Sequence, residues 1–366
     1  MSEVPLLDLK AQYATIAEEI DEVVKKVILG GNFILGENVR LLEEEIAAYC
    51  QTKYAVGVAS GTDALLLSLM ACNVGIGDEV ITSPFTFIAT AEVIVFLGAK
   101  PVFVDIDHKT YNIDPDKIKD AIISKTKAII PVHLYGQPAD IDKILDCAKE
   151  YNLIVIEDAA QAIGSKYKGK MVGGMGLTGG FSFFPAKNLG AYGDGGMITT
   201  NDEGMAKKIK QLRAHGSQVK YQHEIIGTNS RLDELQAAIL RVKLKRLNHW
   251  TAKRQKIAQI YTHAFTGKDI TTPFVEEFNS HVYNQYTIRV KDRDRLMAHL
   301  KKAGIGVAIH YPTPLHLQPA FSFLGYKPGD FKESEQASKE VLSLPIYPEL
   351  SDEQIEKVIS SVLSFV

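Results

Sequence analysis

Apolar residues follow two different spacings over roughly the first 200 positions of the chain. In short runs they are almost continuous, which predicts buried strands, and in longer segments they recur every three or four positions, which predicts helices. Continuously apolar strands that alternate with helices are typical of a mostly parallel sheet covered on both faces, an α/β fold. The predicted strands are Ala55–Ala59, Glu79–Thr82, Val102–Val104, Ala128–Val132, Leu153–Ile156 and Met197–Thr199, and the predicted helices are 12–29, Leu41–Tyr49, Ala64–Met70, 90–97, 115–124 and 140–151.

The pattern changes at Arg231. A long amphipathic region, 231–265, predicts helix with few interruptions, and shorter strands and helices follow it. We therefore predict a large domain over 1–250 and a smaller α+β domain over 251–366. The N-terminal helix of the large domain is expected to pack on the smaller domain. The elements predicted there are strands at Tyr283–Val290 and Gly306–His310 and helices at Arg293–Ala303, 332–343 and 351–364.

Composition excludes several classes of function. The 366 residues carry 41 Lys and Arg against 44 Asp and Glu, and no basic block stands out, so a general nucleic-acid binder is not expected. Cys50, Cys72 and Cys147 lack metal-site or CxxC spacing, which is typical of a reducing cytoplasm. The first residues, MSEVPLLDLKAQY, have charges within their short apolar run and do not read as a signal peptide, and no apolar stretch is long enough to span a membrane. We expect a cytoplasmic enzyme without a metal site.

The turn SGTD at 60–63 joins a predicted strand to a predicted helix. Gly61 permits a tight turn, Thr62 or Asp63 can cap the helix, and free N–H groups together with the helix dipole bind anions. The turn is therefore either a phosphate site or an ordinary helix cap.

A second candidate is the end of a predicted buried strand, IVIEDAAQAIG at 154–164. An ionised carboxylate of Glu157 or Asp158 at this place needs a cationic or N–H partner. Gln161 lies three residues further on and faces the same side if a helical turn follows. The alternative is a solvated acid in a strand-end turn.

The stretch Gly180–Thr200 contains Lys187 between an apolar strand and a glycine cluster. A lysine in an apolar site has a lowered pKa, and its amine is then a nucleophile. Ser182 precedes it at the end of the strand and could donate to an anion. The alternatives are a solvated lysine and a plain serine at the core edge.

A phosphate cradle, a carboxylate for a ring cation and an amine able to form a Schiff base are together the requirements of pyridoxal phosphate. Because ligands of open parallel sheets collect at the carboxyl ends of the strands, we expect the three features to meet there. Phe87 is then a candidate for stacking on the cofactor ring, with core packing as the alternative.

With these residues in place, the chain resembles the DegT/DnrJ/EryC1/StrS family of sugar aminotransferases, which have the fold of aspartate aminotransferase. The matching motifs run nearly end to end: PLLDL, SGTDAL, PFTFIAT, GAKPVFVDID, EDAAQAIG, FSFFPAKNLGAYGDGG, GTNSRLDELQAAIL, HYPTPLHLQPAF and LSLPIYP.

The resemblance implies a role for each matching residue. Lys187 would bind the cofactor covalently and move the proton of the transfer, and Asp158 would pair with the pyridine nitrogen. The remaining cofactor contacts would be Gly61, Thr62 and Ser182 at the phosphate, and Phe87 and Gln161 at the ring. Asn229 would reach the phosphate in the neighbouring subunit, so that a homodimer has shared sites. The residues facing the sugar would be Tyr192, His310 and Tyr311.

The implied reaction transfers an amino group from L-glutamate to a nucleotide-linked keto-sugar, with the cofactor alternating between pyridoxal and pyridoxamine phosphate. HYPTPLHLQPAF is most similar to members that aminate C3 of a dTDP-3-keto-6-deoxyhexose. The alternatives are amination at C4 of a dTDP- or UDP-4-keto-6-deoxyhexose and a non-catalytic regulator that binds the cofactor. Dehydrating members have histidine where this chain has Lys187, and a nicotinamide enzyme would need a GxGxxG that is missing after the first strand.

Overall fold

A seven-stranded sheet forms the centre of the computed structural model, which describes residues 3–219 and 221–365. The helices are α1 Leu9–Ala14, α2 Ala17–Gly30, α3 Glu37–Tyr49, α4 Gly61–Ala71, α5 Ala89–Phe96, α6 Ile141–Tyr151, α7 Glu203–Leu212, α8 Glu234–Leu244, α9 Leu247–Phe265, α10 Arg293–Lys302, α11 Lys332–Glu340 and α12 Asp352–Leu363. The strands are β1 Tyr54–Val58, β2 Glu79–Thr82, β3 Lys100–Phe103, β4 Thr126–Ile129, β5 Ile154–Asp158, β6 Lys166–Tyr167, β7 Lys170–Met171, β8 Thr178–Ser182, β9 Gly196–Thr200, β10 Ser217–Val219, β11 Gln222–His223, β12 Asn279–Ser280, β13 Tyr286–Arg289 and β14 Val341–Leu344.

The strands of the central sheet follow the order β1-β9-β8-β5-β4-β2-β3. The pairs from β8 to β3 are parallel, whereas β9 runs antiparallel to both of its neighbours. β5 and β8 lie side by side, so that Asp158 is opposite Gly180. The carboxyl ends of these two strands therefore bring Asp158 and Ser182 to the same edge of the sheet. This confirms the predicted α/β fold with a mostly parallel sheet.

A second, separate core lies in the C-terminal third of the chain. The antiparallel pair β13–β14 packs there against α9, α10 and α12. The N-terminal segment joins this core through Val4, which forms a parallel bridge with Ile305. The predicted domain boundary between 250 and 251 falls inside α9, and the division into two domains stays a prediction.

Several predicted elements differ from the observed ones. The predicted helix 12–29 is divided into α1 and α2, because the Thr15 hydroxyl donates to the Gln12 carbonyl and ends α1. The predicted helix 115–124 consists of two short 3₁₀ turns, the first of which begins with Pro115. The long region 231–265 is likewise two helices, α8 and α9.

Two further differences lie in the C-terminal third. The predicted strand Gly306–His310 contains only a single bridge, between Ala308 and Ser343. The predicted helix 332–343 ends at Glu340, and Val341–Leu344 instead forms β14. Its partner strand β13 decides this outcome, because pairing and burial override local propensity in a short apolar segment.

Within residues 3–219 and 221–365, no helix combines the length and the apolar character needed to cross a membrane. The same residues contain no group of three or more His, Cys, Asp or Glu side chains arranged to hold a metal ion.

We expect Ile288→Ala to destabilise the protein by about 2–5 kcal/mol, because it leaves a cavity in the packed C-terminal core. Ile288 is fully buried at the centre of β13, whereas Ile76 is 93% exposed. Chemical denaturation measures both variants. Ile76→Ala is the matched control and should change the free energy of unfolding by less than about 0.5 kcal/mol. Equal effects of the two substitutions would contradict the assignment of this core.

Candidate active site

A cavity of about 450 Å³ lies at the carboxyl ends of β5 and β8, beside the N-terminus of α4. Its wall contains residues from both the sheet region and the C-terminal third. Nine of the eleven residues singled out in the sequence line it: Gly61, Thr62, Phe87, Asp158, Gln161, Ser182, Lys187, His310 and Tyr311.

One end of the cavity is suited to an anion. Ser60 caps α4 by accepting a hydrogen bond from the Asp63 N–H at 3.0 Å, which leaves Gly61 and Thr62 in the first turn facing the cavity. A Cβ on Gly61 would lie 2.6 Å from the Cβ of Ser182. Only glycine therefore allows the Ser182 hydroxyl to approach the positive end of the helix, where N–H groups attract phosphate.

The other side of the cavity is formed by a buried acid. Asp158 accepts hydrogen bonds from the Thr90 hydroxyl at 2.7 Å and from the Ala160 N–H at 3.2 Å. Burial raises the pKa of Asp158, although these hydrogen bonds and the charge of Lys187 oppose the rise. The carboxylate is thus incompletely compensated and would be stabilised further by a cationic N–H from a ligand.

The neighbouring acid, Glu157, points to the opposite face because side chains alternate along a strand. It is fully buried and accepts hydrogen bonds from three backbone N–H groups, those of Gly173, Met175 and Gly176, at 2.7–2.8 Å. His133 lies 3.0 Å from the same carboxylate. Burial raises the pKa of Glu157, but the hydrogen bonds outweigh it and lower the pKa overall. Glu157 is therefore structural.

Lys187 lies in a tight loop between β8 and β9. The loop folds back on itself, because Ala191 N–H donates to the Phe183 carbonyl at 2.7 Å and a Cβ on Gly190 would meet the Pro185 carbonyl at 2.3 Å. Burial lowers the pKa of Lys187 to about 8, while the charge of Asp158 acts in the opposite direction. No hydrogen bond to its Nζ is found within the described residues. With a pKa of about 8, roughly a tenth of the amine is neutral at pH 7 and about half at pH 8, a far larger share than for an exposed lysine, and the neutral form is the nucleophile.

His310 and Tyr311, from the C-terminal third, line the cavity together with Gln161. Gln161 is held on both sides, since its Oε1 accepts from the Tyr135 N–H at 2.7 Å and its Nε2 donates to the Tyr311 hydroxyl at 3.0 Å. His310 Nδ1 lies 2.9 Å from the Ser343 hydroxyl, and burial lowers the pKa of His310 to about 4. The imidazole is consequently neutral. Phe87 is 55% exposed at the mouth of the cavity, where an aromatic face can meet a ring.

Two of the predicted residues lie elsewhere. Tyr192 packs beside the Nζ of Lys243, 4.2 Å from its ring centroid, and edge-on against Tyr13, so it does not line the cavity. Asn229 is exposed and forms a bridge with Ala214. Their predicted roles toward the sugar and toward a neighbouring subunit stay predictions.

The cavity also contains polar residues that the sequence patterns did not single out. Thr90 lies within the quoted motif PFTFIAT and could have been found there, but only its contact with Asp158 reveals its position. Thr86 lies in the same motif, and Asp194 lies in FSFFPAKNLGAYGDGG. Asn284 and Gln285, by contrast, come from an irregular segment with no local signal.

The residues present fit pyridoxal phosphate. A helix N-terminus that a side chain on Gly61 would obstruct suits the phosphate, the incompletely compensated Asp158 suits a protonated ring nitrogen, and Lys187 offers an unpaired amine.

Comparison with known proteins identifies the family. The sequence profile of the DegT/DnrJ/EryC1/StrS aminotransferase family matches residues 14–363. The chain belongs to this family. It is similar to a pleiotropic regulatory protein of Geobacillus stearothermophilus, with 53% identity over 99% of this chain and 98% of the relative. It is also similar to a dTDP-3-amino-3,6-dideoxy-alpha-D-galactopyranose transaminase of Aneurinibacillus thermoaerophilus, with 46% identity over 98% of each chain.

Solved structures of similar chains have the same fold. The S. venezuelae DesV complex with a ketimine intermediate superposes with a TM-score of 0.98 and 41% identity, over 100% of this chain and 99% of the other. The NtdA structure from Bacillus subtilis with bound cofactor PMP has a TM-score of 0.92 and 33% identity, over 100% and 85% of the two chains. These findings confirm the predicted family, fold class and aminotransferase class, and they agree with pyridoxal phosphate as the cofactor.

We expect Lys187 in the cofactor-free protein to react with acetic anhydride along a titration curve centred near pH 8, because burial lowers its pKa to about 8. An exposed lysine titrates near pH 10.4. Pulse labelling at several pH values, followed by mass spectrometry of the Lys187 peptide, measures the midpoint.

The Asp158→Asn variant tests the opposing contribution of the Asp158 charge. It removes the negative charge that raises the Lys187 pKa, so the midpoint should move to lower pH. A midpoint near that of exposed lysines in the unaltered protein would contradict the buried position of the amine.

Proposed function

We propose that this aminotransferase moves an amino group from L-glutamate to the C3 keto group of a dTDP-linked 6-deoxyhexose, with pyridoxal phosphate as cofactor. The observation that carries the proposal is the convergence of Lys187, Asp158 and the α4 N-terminus on one cavity that the C-terminal third closes. The C3 position is supported by the relative from Aneurinibacillus thermoaerophilus, which is named for a 3-amino product. Amination at C4 is the alternative for the sugar.

Each residue then has a distinct task. When bound, pyridoxal phosphate supplies an electron sink for the carbon that loses a proton. Lys187 would hold the cofactor, and its released amine would carry the proton between the substrate carbon and the cofactor, for which a pKa of about 8 is well matched. Asp158 would pair with the protonated ring nitrogen, and Thr90 holds the Asp158 carboxylate in place.

The neutral side chains position substrates and exclude water. Gln161 and Tyr311 form one hydrogen-bonded unit, and His310 is oriented by Ser343. Because burial raises the pKa of Tyr311 and lowers that of His310, both remain uncharged at neutral pH. Uncharged donors and acceptors suit the hydroxyl groups of a sugar, which carry no charge to be paired.

A second candidate function is ligand sensing without catalysis. The Geobacillus stearothermophilus relative is named as a regulatory protein, and a cofactor-binding cavity could serve a sensor. The free, low-pKa amine of Lys187 favours catalysis, because a sensor needs only to bind the cofactor.

We expect the protein reconstituted with pyridoxal phosphate to show a visible absorption band that L-glutamate bleaches. Lys187→Ala should lack the band, because no other lysine among residues 3–219 and 221–365 lines the cavity. Lys119→Ala, at an exposed lysine, is the matched control and should behave like the unaltered protein. The bleached form is then offered 3-keto and 4-keto nucleotide sugars, and recovery of the band with one of them identifies the carbon.

The outcomes separate the two functions. A band that forms but does not respond to L-glutamate or to either sugar would favour the sensor. The absence of a band in the reconstituted protein would contradict the role of Lys187.

We further propose that the protein acts in the cytoplasm as a homodimer in which Asn229 completes the cavity of the other subunit. Asn229 lies beside a surface with several exposed apolar residues, and such patches mark interaction sites. They occur in the segments on either side of a groove that Leu35 and Tyr221 line: Ile28, Leu29, Phe33, Ile34, Leu35, Val219, Tyr221 and Ile226.

Mixing two inactive variants tests the shared sites. Asn229→Asp places a negative charge at the proposed phosphate contact, and Lys187→Ala removes the reactive amine. In a mixed dimer with shared sites, one site has both defects and the other has neither, so random exchange should restore about a quarter of the full activity. Sites confined to single subunits would give no recovery, which would contradict the proposal.

A further inference from the structure

A smaller cavity of about 90 Å³ adjoins the candidate active site. Four residues line both cavities: Ala186, Asn284, Gln285 and His310. The small cavity is therefore a side pocket of the large one. One of the shared lining residues, Ala186, directly precedes Lys187 in the sequence. The volume of the side pocket exceeds the roughly 10–15 Å³ that one water molecule needs, so it can admit a group of the size of a carboxylate.

Arg254, on α9, is the charged residue of this side pocket. It is 3% exposed, and its Nη1 donates to the backbone carbonyls of Tyr283 at 3.1 Å and Ile346 at 2.7 Å. These two contacts fix the orientation of the guanidinium. Within residues 3–219 and 221–365, its Nε and Nη2 form no hydrogen bond, although a guanidinium has five donors.

The charge of Arg254 is poorly compensated. The charge of Glu349 acts on Arg254, but the two side chains do not form an ion pair within 4.0 Å. Within the described part of the chain, no acidic residue lines the side pocket. Apart from Arg254 and the neutral His310, the lining residues are apolar or uncharged. Burial accordingly lowers the pKa of Arg254 to about 10, so it remains a cation at neutral pH. A buried cation with free donors is the setting in which a ligand carboxylate binds best.

From this geometry we propose that Arg254 binds a carboxylate of the amino donor in the side pocket. The inference rests on the proposed function, since it concerns L-glutamate in the same cavity. Arginine suits the task because its planar fork can hold both oxygens of a carboxylate. A 6-deoxyhexose has no carboxylate, so Arg254 would serve only one of the two substrates that use the cavity in turn. A uronate sugar is the other possible source of a carboxylate, and the experiment distinguishes the two.

The test measures the two half-reactions separately by stopped-flow absorption. In Arg254→Gln, the half-saturating concentration of L-glutamate should rise at least about tenfold, because charge-assisted hydrogen bonds to the carboxylate are lost. Reaction of the aminated enzyme with a dTDP-3-keto-6-deoxyhexose should stay within about threefold of the unaltered protein. Arg254→Lys keeps the charge and should give an intermediate value.

Arg293→Gln is the matched control. Arg293 is also buried, and its Nη1 likewise donates to two backbone carbonyls, those of Ser338 and Val341, but it lies away from both cavities. Damage from loss of a buried arginine should therefore appear in both variants. The loss of affinity for L-glutamate should appear only in Arg254→Gln.

Binding of glutarate gives a readout that does not depend on turnover, because this dicarboxylate has no amine and cannot react. Calorimetry should show at least a tenfold weaker Kd for glutarate in Arg254→Gln and no change in Arg293→Gln. Unchanged glutarate and L-glutamate affinities, an equal loss in both half-reactions, or an effect confined to a uronate sugar would each overturn the assignment. If the unaltered protein does not react with L-glutamate, the proposed donor is wrong, and glutarate binding still decides whether Arg254 holds a carboxylate.

Discussion

The carboxyl end of β5 carries two adjacent buried carboxylates, and the cavity depends on how differently the fold satisfies them. Glu157 receives three backbone N–H groups and lies against His133, so its charge is fully compensated behind the sheet. Asp158 receives one hydroxyl and one N–H and faces the cavity. Because successive side chains point to opposite faces, the same strand end both anchors the surrounding backbone and presents an acid that a ligand cation would stabilise.

Burial acts on Asp158 and Lys187 in opposite directions, and their mutual attraction limits both shifts. The acid stays available to pair with a cation, and the amine is partly neutral near pH 8, which a transferring lysine requires. The loop geometry maintains this arrangement. Gly190 allows the backbone to fold onto Pro185, and its carbonyl accepts a hydrogen bond at 2.7 Å from the buried Nζ of Lys243. Lys243, in α8, thereby holds the loop that carries Lys187.

The C-terminal third completes the cavity with side chains that are mostly neutral. It also places one cation, Arg254, in the side pocket. The proposed reaction alternates between an amino acid with carboxylates and a nucleotide-linked sugar, whose negative charge lies on the diphosphate and not on the sugar ring. The main cavity, with Gln161, His310 and Tyr311, offers uncharged polar contacts, whereas Arg254 is displaced into the side pocket. Under the proposed function, this separation would give each substrate its own contacts around one shared reactive centre.

The sequence by itself determined the α/β class and most sheet strands, because continuous apolar runs are typical of strands buried on both faces. It also indicated six residues of the cavity, since SGTD, ED and the lysine loop each follow a strand end and parallel strand ends meet at one edge: Gly61, Thr62, Asp158, Gln161, Ser182 and Lys187. Phe87 was a candidate for stacking, whereas His310 and Tyr311 were implied only by the resemblance to the family. Only the tertiary structure decided the rest. Val341–Leu344 became a strand because β13 pairs with it. Thr90, Asn284 and Arg254 are positioned by hydrogen bonds to residues distant in sequence, which are Asp158, Tyr135 and Ile346. Such contacts depend on how segments distant in sequence pack together, and a local sequence pattern cannot predict that packing.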